Sequence, residues 1–310
     1  MAIEIKGTAY SGEVLEQLLV RATTTNELVE RGLIRMVPNV SKKFTLPRLK
    51  TGTMLQKRKE QPGDADSKGN FTYDEKYLEP KEFMAFTTFN PRAFESIWRP
   101  FQPNGELVFR ELPQKVQNQL LEELAKAVDF ELGWHFINGE YGDTDDKLFN
   151  GILYSILHDQ DTIEVDNPVA LTKDNILAKM ELVYLALAKK YRAKATMLMS
   201  VEDYYKYDAA LTALSVKGPD YTRLTAKVYK EMPIEVLTEW PEHVIVCTIA
   251  TNDMTSNLWA GCNLVNDYDT IKIDKLSNAG ERYFFKMLMT ADTQIAWGEQ
   301  AAIYDGRVAG

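Results

Sequence analysis

From Leu112 onward, apolar side chains recur at every fourth position: Val116, Leu120, Leu124, Val128 and Leu132, with Leu121, Ala125 and Ala127 alongside. That spacing gives a helix one apolar face. Pro113 suits the first helical position and Asn138-Gly139 suits the end, so the pattern predicts a helix from 113 to about 137. At 1.5 Å per residue it would run about 37 Å, long for a globular domain, which makes it an organising rod. An acidic turn, GDTDD, and the apolar run FNGILYSIL follow it. Upstream, Val14, Leu15, Leu18 and Leu19 are at helical spacing until Thr23, Thr24 and Thr25 interrupt them. Residues 13 to 35 thus read as a helix, a kink and another turn, with too little apolar surface for a core of their own. We expect an arm that packs on something else.

A second unit begins near Asn167. LTKDNILAKMELVYLALAKKY is an amphipathic helix, AKATMLM a short buried strand, and SVEDYYKYDAAL a new helix. Ser200 stands at its N-cap with Asp203 three residues on, the capping-box arrangement. Beyond Lys217 the pattern is mainly β, in VYKEMPIEVL, HVIVCTIA, DTIKIDKL and RYFFKMLMTADTQIAWGEQAAIY. The fold class is α+β, with no fixed-period repeat and no low-complexity tract.

Charge distribution singles out residues 36 to 90. Residues 35 to 59 hold eight bases (Arg35, Lys42, Lys43, Arg48, Lys50, Lys57, Arg58, Lys59) and no acid. Residues 60 to 82 hold seven acids (Glu60, Asp64, Asp66, Asp74, Glu75, Glu79, Glu82) against three lysines. The turn cluster QPGDADSKGN lies between, and strand-like runs such as KKFTLPRL and FMAFTTF lie on either side. This is a long two-stranded hairpin, which must lie against another surface to be stable. Its opposite charges either pair within the hairpin or set register across a neighbouring subunit, and the two are compatible.

Composition narrows the function classes. With 36 bases against 45 acids the 310-residue chain carries a formal charge of −9, unsuited to generic nucleic-acid binding. Hydrophobic residues at 45% allow a substantial core. Two cysteines, no long apolar stretch and a start without signal-peptide character point to a soluble protein of a reducing cytoplasm. Common nucleotide-binding, hydrolase and zinc-protease motifs are missing. His135, His158 and His243 are too far apart to pair on one helix. His135, beside Trp134, reads as a satisfied structural histidine, and His158-Asp159 as a loop contact rather than a metal dyad. Asp64-x-Asp66-x-Lys68-Gly69-Asn70-x-Thr72-x-x-Glu75 follows calcium-loop spacing, but Lys68 would put an ammonium among the ligands. It reads as a solvated hairpin tip. Cys247 and Cys262 read as buried free thiols, and YYKY at 204 to 207 as a helix face. No catalytic, cofactor or metal residue is assigned.

The order of parts carries a resemblance. A short arm, a charged hairpin, a rod helix running into INGEYGDTDDKLFNGIL, the strand and helix of TMLMSVEDYYKYDAAL, and the closing MTADTQIAWGEQAAIY together cover most of the chain. That layout resembles the major capsid proteins of tailed bacteriophages, the Hong Kong 97-type fold. The resemblance implies an N-terminal arm (1–35), an extended loop (36–90), a peripheral domain with the spine helix (91–166), an axial domain (167–270) and C-terminal strands returning to the peripheral domain (271–310). It implies a non-enzymatic subunit that assembles with copies of itself as hexamers and pentamers into an icosahedral shell. That shell would enclose double-stranded DNA without sequence-specific binding, as the capsid of a virion assembled in the host bacterial cytoplasm. No cofactor and no membrane are expected. Portal and decoration proteins are further expected partners, and since only about 35 residues precede the hairpin here, scaffold function comes either from a separate protein or from a segment outside these 310 residues. The extended loop lies over the next subunit in this family, which makes Arg48, Lys50, Lys57, Arg58, Lys59, Asp64, Asp66, Asp74 and Glu75 the candidate intersubunit residues. An encapsulin-like nanocompartment shares the fold but encloses an enzyme. A soluble enzyme with a site built from scattered carboxylates and histidine is the reading from another class.

Overall fold

The computed structural model describes residues 8–9, 27–38, 40, 42–51, 53–61, 63–69, 71–90, 114–213, 227–264, 271–276 and 282–307. In chain order the elements are β1 (Thr8–Ala9), α1 (Glu27–Glu30), β2 (Arg35–Pro38), β3 (Phe44–Thr51), β4 (Phe71–Leu78), β5 (Lys81–Phe89) and α2 (Gln114–Asn138). There follow α3 (Ile152–Leu157), β6 (Ile163–Glu164), α4 (Ile176–Ala186), α5 (Lys189–Arg192), β7 (Thr196–Ser200) and α6 (Val201–Ala213). The remainder is β8 (Val228–Tyr229), β9 (Met232–Leu237), β10 (Val244–Thr248), β11 (Leu258–Leu264), β12 (Ile271–Lys275), β13 (Tyr283–Ile295) and β14 (Ala302–Asp305). The expected kink at Thr23 to Thr25 lies outside the described residues.

The first sheet is organised by β13. Strand β5 runs antiparallel along one edge of it, from Lys81 opposite Ala291 to Phe89 opposite Tyr283. The other edge is shared by β12 and β11, both antiparallel, and β2 adds parallel to β11. The second sheet has the order β6-β14-β10-β7-β9-β8. Strands β7 and β10 are buried at every residue, which is why TMLMS and VIVCT read as unbroken apolar runs rather than alternating ones.

Alternation assigns the two faces of that second sheet to two cores. Met197, Met199, Ile234, Ile245, Cys247, Ala302 and Tyr304 face a core closed by Ile176, Met180 and Val183 of α4 and Tyr207, Ala210 and Leu211 of α6. Leu198, Val244, Val246 and Ile303 face a core shared with Leu258, Ala260, Ala291 and Ile295 of the first sheet. Leu132, Phe136 and Ile137 of α2 and Ile152, Leu153 and Ile156 of α3 close it. Buried Asn257 joins the sheets: its Nδ2 donates to Thr248 Oγ1 and to Trp297 O, both at 2.9 Å, and its Oδ1 accepts from Trp297 N–H at 2.6 Å.

Three expectations are corrected. FMAFTTF is not the return strand of the hairpin: β3 pairs with β4, and β5 leaves to pair with β13. Strand β14 does not return with β13 but lies between β6 and β10, because its alternate side chains, Ile303 against Ala302 and Tyr304, fill both cores. Strand β11, within the stretch 167–270 assigned to the other unit, belongs to the first sheet.

The long helix ends one residue beyond expectation, at Asn138, and its exit is locked by a close approach of backbone. Gly151 N–H donates to Gly139 O at 2.8 Å, and a side chain at Gly151 would meet Gly139 N, Ile137 O and His135 O within 2.8 Å. We expect Gly151→Ala to destabilise the chain by about 1 to 3 kcal/mol, read as a lowered urea midpoint, because backbone rather than a flexible side chain must shift. An unchanged midpoint would show that the exit of α2 is looser than drawn.

Candidate functional site

Strands β3 and β4 form a separate two-stranded ribbon, Phe44 opposite Leu78 at its base and Thr51 opposite Phe71 toward its tip. Such a ribbon needs a root. Leu46 and Leu78 are buried with Trp259 and Ala296, and the Phe44 ring stacks on Trp259 at 6.3 Å. Polar contacts surround that apolar plug. Lys76 forms an ion pair with Asp159, both largely buried, and Asp159 Oδ1 also accepts Asp161 N–H at 2.9 Å. Glu79 N–H donates to Asp292 Oδ2 at 2.7 Å, and Lys43 lies 3.2 Å over the Tyr77 ring. The base is held by the first sheet and by the loop after α3.

The tip is open. Residues 53 to 60 are all exposed, Leu55 at 90%. The predicted charges divide into three groups. Register places Arg48 opposite Asp74, while Lys50 faces Thr72 and Glu75 faces Pro47. Lys59 forms an ion pair with Asp66 inside the tip, which with the Gly63 N–H holds the Asp66 carboxyl below the usual carboxylate range. Glu75 accepts the Tyr77 hydroxyl. Among the described residues, Lys57, Arg58 and Asp64 have no side-chain partner, and all three are exposed. Hairpin-internal pairing thus accounts for part of the charge and leaves two bases at the tip.

Sequence reasoning missed the root. Lys76 and Asp159 are 83 residues apart, with no local signal linking them. Asp292 had one: it is an acid inside the apolar run of β13, opposite Gly261. Burial at 8% exposure pushes its carboxyl up to about 7, against the lowering effect of the Glu79 and Thr293 amides.

One cluster combines Ser, Asp and His. Ser200 Oγ accepts Asp203 N–H at 3.1 Å, so the predicted N-cap is present. Asp203, fully buried, takes the Ser200 hydroxyl at 2.9 Å, His243 N–H at 2.7 Å and Lys206 Nζ at 2.8 Å. His243 Nδ1 accepts Leu171 N–H at 3.1 Å. The imidazole nitrogen nearest the cluster is therefore occupied by backbone, and the serine proton points at a carboxylate: these groups fasten α6 to two loops. His158 Nδ1 contacts Tyr154 O at 2.9 Å and its ring stacks on Tyr154, a loop contact. His135 is not fully satisfied as expected. It packs against Trp134 and Phe149, burial lowers its pKa, and its buried Nδ1 has no partner. Burial raises both thiols, Cys247 and Cys262. Among the described residues no group of side chains is placed to hold a metal ion, and no helix is long and apolar enough to cross a membrane.

No protein-family model and no curated protein matches the sequence. Solved structures do. A chain of the satellite phage P4 procapsid including size determination (Sid) protein superposes with a TM-score of 0.62 at 12% identity, over 98% of this chain and 94% of that one. For the capsid of Myoviridae phage XM1 the values are 0.55 and 9%, over 99% and 96%. For the virus-like particle from Pyrococcus furiosus they are 0.54 and 10%, over 94% and 98%. The chain has the Hong Kong 97-type capsid fold. At these identities what is shared is the arrangement of elements.

The raised carboxyl at the root has a defined pH signature. Asp292 titrates near 3.8 unfolded and about 7 folded, so between those values the folded state binds more protons. Its contribution to stability is complete below about pH 4 and is lost as pH rises to about 7. Asp292→Asn keeps an acceptor for Glu79 N–H without the charge. Urea unfolding of variant and parent should coincide near pH 4 and separate at pH 8, the variant being more stable by up to about 4 kcal/mol. Parallel curves at both pH values would rule out a buried acid there.

Proposed function

We propose that this chain is the major capsid protein of a tailed bacteriophage. Its copies assemble as hexamers and pentamers into an icosahedral shell around double-stranded DNA. The observation that carries this is the match to phage capsid chains over nearly the full length of both partners. The net charge of −9 agrees with a container wall that does not bind its contents tightly. The role is structural and not enzymatic: the Ser200, Asp203 and His243 groups are consumed by backbone and capping contacts. The first sheet with α2 corresponds to the peripheral domain, and the second sheet with α4 and α6 to the axial domain. The protein resides in the virion capsid.

A nanocompartment shell, which would use the same fold, is the second reading, and a virus-like particle from Pyrococcus furiosus is among the structures with that fold. Contents separate the two: nuclease-protected DNA inside particles from the native source favours the phage capsid, and a copurifying enzyme favours the compartment.

The ribbon is the intersubunit arm in this proposal. Arg48, Lys50, Asp74 and Glu75 line its shaft, while Lys57, Arg58, Lys59, Asp64 and Asp66 form the tip that meets the next copy. Because Lys59 is tied to Asp66, the clean reversal is Lys57→Glu with Arg58→Glu. We expect that double variant to lower the fraction sedimenting as shells at least about tenfold at low salt while leaving the folded chain intact. Undiminished assembly would remove the tip bases from the contact.

A further inference from the structure

Helix α4 is apolar almost all the way round. Ile176, Met180 and Val183 face the core, yet the opposite side carries Ala178, Leu182 and Leu185, with Leu182 44% and Leu185 51% exposed. Its two charged residues are engaged with their own chain: Lys179 donates to Asn167 O at 2.8 Å, and Glu181 pairs with Lys230. A helix of this kind is covered in the functional state of a protein. Just beyond α4, Lys189 of α5 and Lys194 in the turn after it are exposed and, among the described residues, have no ion pair.

Helix α6 closes the same core and presents different chemistry outward. Tyr205 is 65% exposed, flanked on the outer face by Glu202, Asp208 and Ala209. Among the described residues neither Glu202 nor Asp208 has an ion pair. One chain thus carries an apolar-basic face and an aromatic-acidic face on neighbouring helices over one sheet. Two different complementary patches on identical chains can meet head to tail, and such contacts form rings where the rotation from copy to copy closes. We propose that the Leu182, Leu185, Lys189 and Lys194 face of one copy docks on the Glu202, Tyr205 and Asp208 face of the next copy. This rests on the shell-forming reading above and specifies which surfaces of the second unit meet.

Charge exchange tests it, read by sedimentation velocity and negative-stain microscopy of the full chain. Lys189→Glu with Lys194→Glu should lower the assembled fraction at least about tenfold, as should Glu202→Lys with Asp208→Lys. The quadruple variant, with the charges exchanged across the contact, should recover assembly to within about threefold of the parent. Leu185→Asp tests the apolar part and should also abolish rings. All sites are exposed, so circular dichroism and urea midpoints should match the parent. Persisting assembly in both double variants, or a folded quadruple variant that stays unassembled, overturns the interface while parental shells leave the shell reading standing. A parent chain that remains small under all salt conditions, and with no dependence on a scaffold protein, overturns both.

Discussion

The central strands of the second sheet, β7 and β10, are buried on both faces, and the rest of the chain is arranged around that constraint. Helices α4 and α6 cover one side. The other side is too apolar for a helix end alone and is shared with the first sheet, so the two sheets are built against one core. Buried Asn257 ties the exit of β10 to the exit of β13 within that core. Cooperation between the units follows from the geometry, since separating the sheets would expose Leu198, Val244, Val246 and Ile303 together.

Rigidity in the body is what gives the ribbon a direction. Leu46, Leu78 and Trp259 form a plug, and Lys76 to Asp159 and Glu79 to Asp292 brace it from two elements. Beyond the plug the described contacts of the ribbon are strand pairing and the Lys59 to Asp66 ion pair, and its tip offers Leu55, Lys57 and Arg58 to solvent. A lone chain therefore displays surfaces that isolated proteins normally cover.

Much of this was legible in the residues themselves. A five-member stripe at four-residue spacing located the long helix to within one residue at its C-terminal end, and Ser200 marked the start of α6 because an N-cap is a local bond. Registers over longer separations were not legible. FMAFTTF has strand character, but strand character does not name a partner, and β13 lies about 200 residues away. Strand β11 escaped notice because Gly261 and Asn263 weaken its pattern. The helix stripe also suggested more burial than occurs. Of its described members only Leu132 is buried, while Phe130 and Trp134 on the same helix are exposed at 65% and 46%. Periodicity reports which face is apolar, not whether this chain or another covers it.

The position of β14 bears on the order of events during synthesis. It pairs with β10 on one side and β6 on the other, and α4 packs against it. Until residues 302 to 305 have left the ribosome, the sheet has a gap between β6 and β10. Both cores lack part of a wall until then, and α4 lacks one of the elements it packs on, β10 and α6 being the others. A nascent chain without β14 therefore offers its neighbours an α4 surface that is not yet fully supported. The topology makes translation itself a timer, withholding the finished α4 surface until residues 302 to 305 are in place.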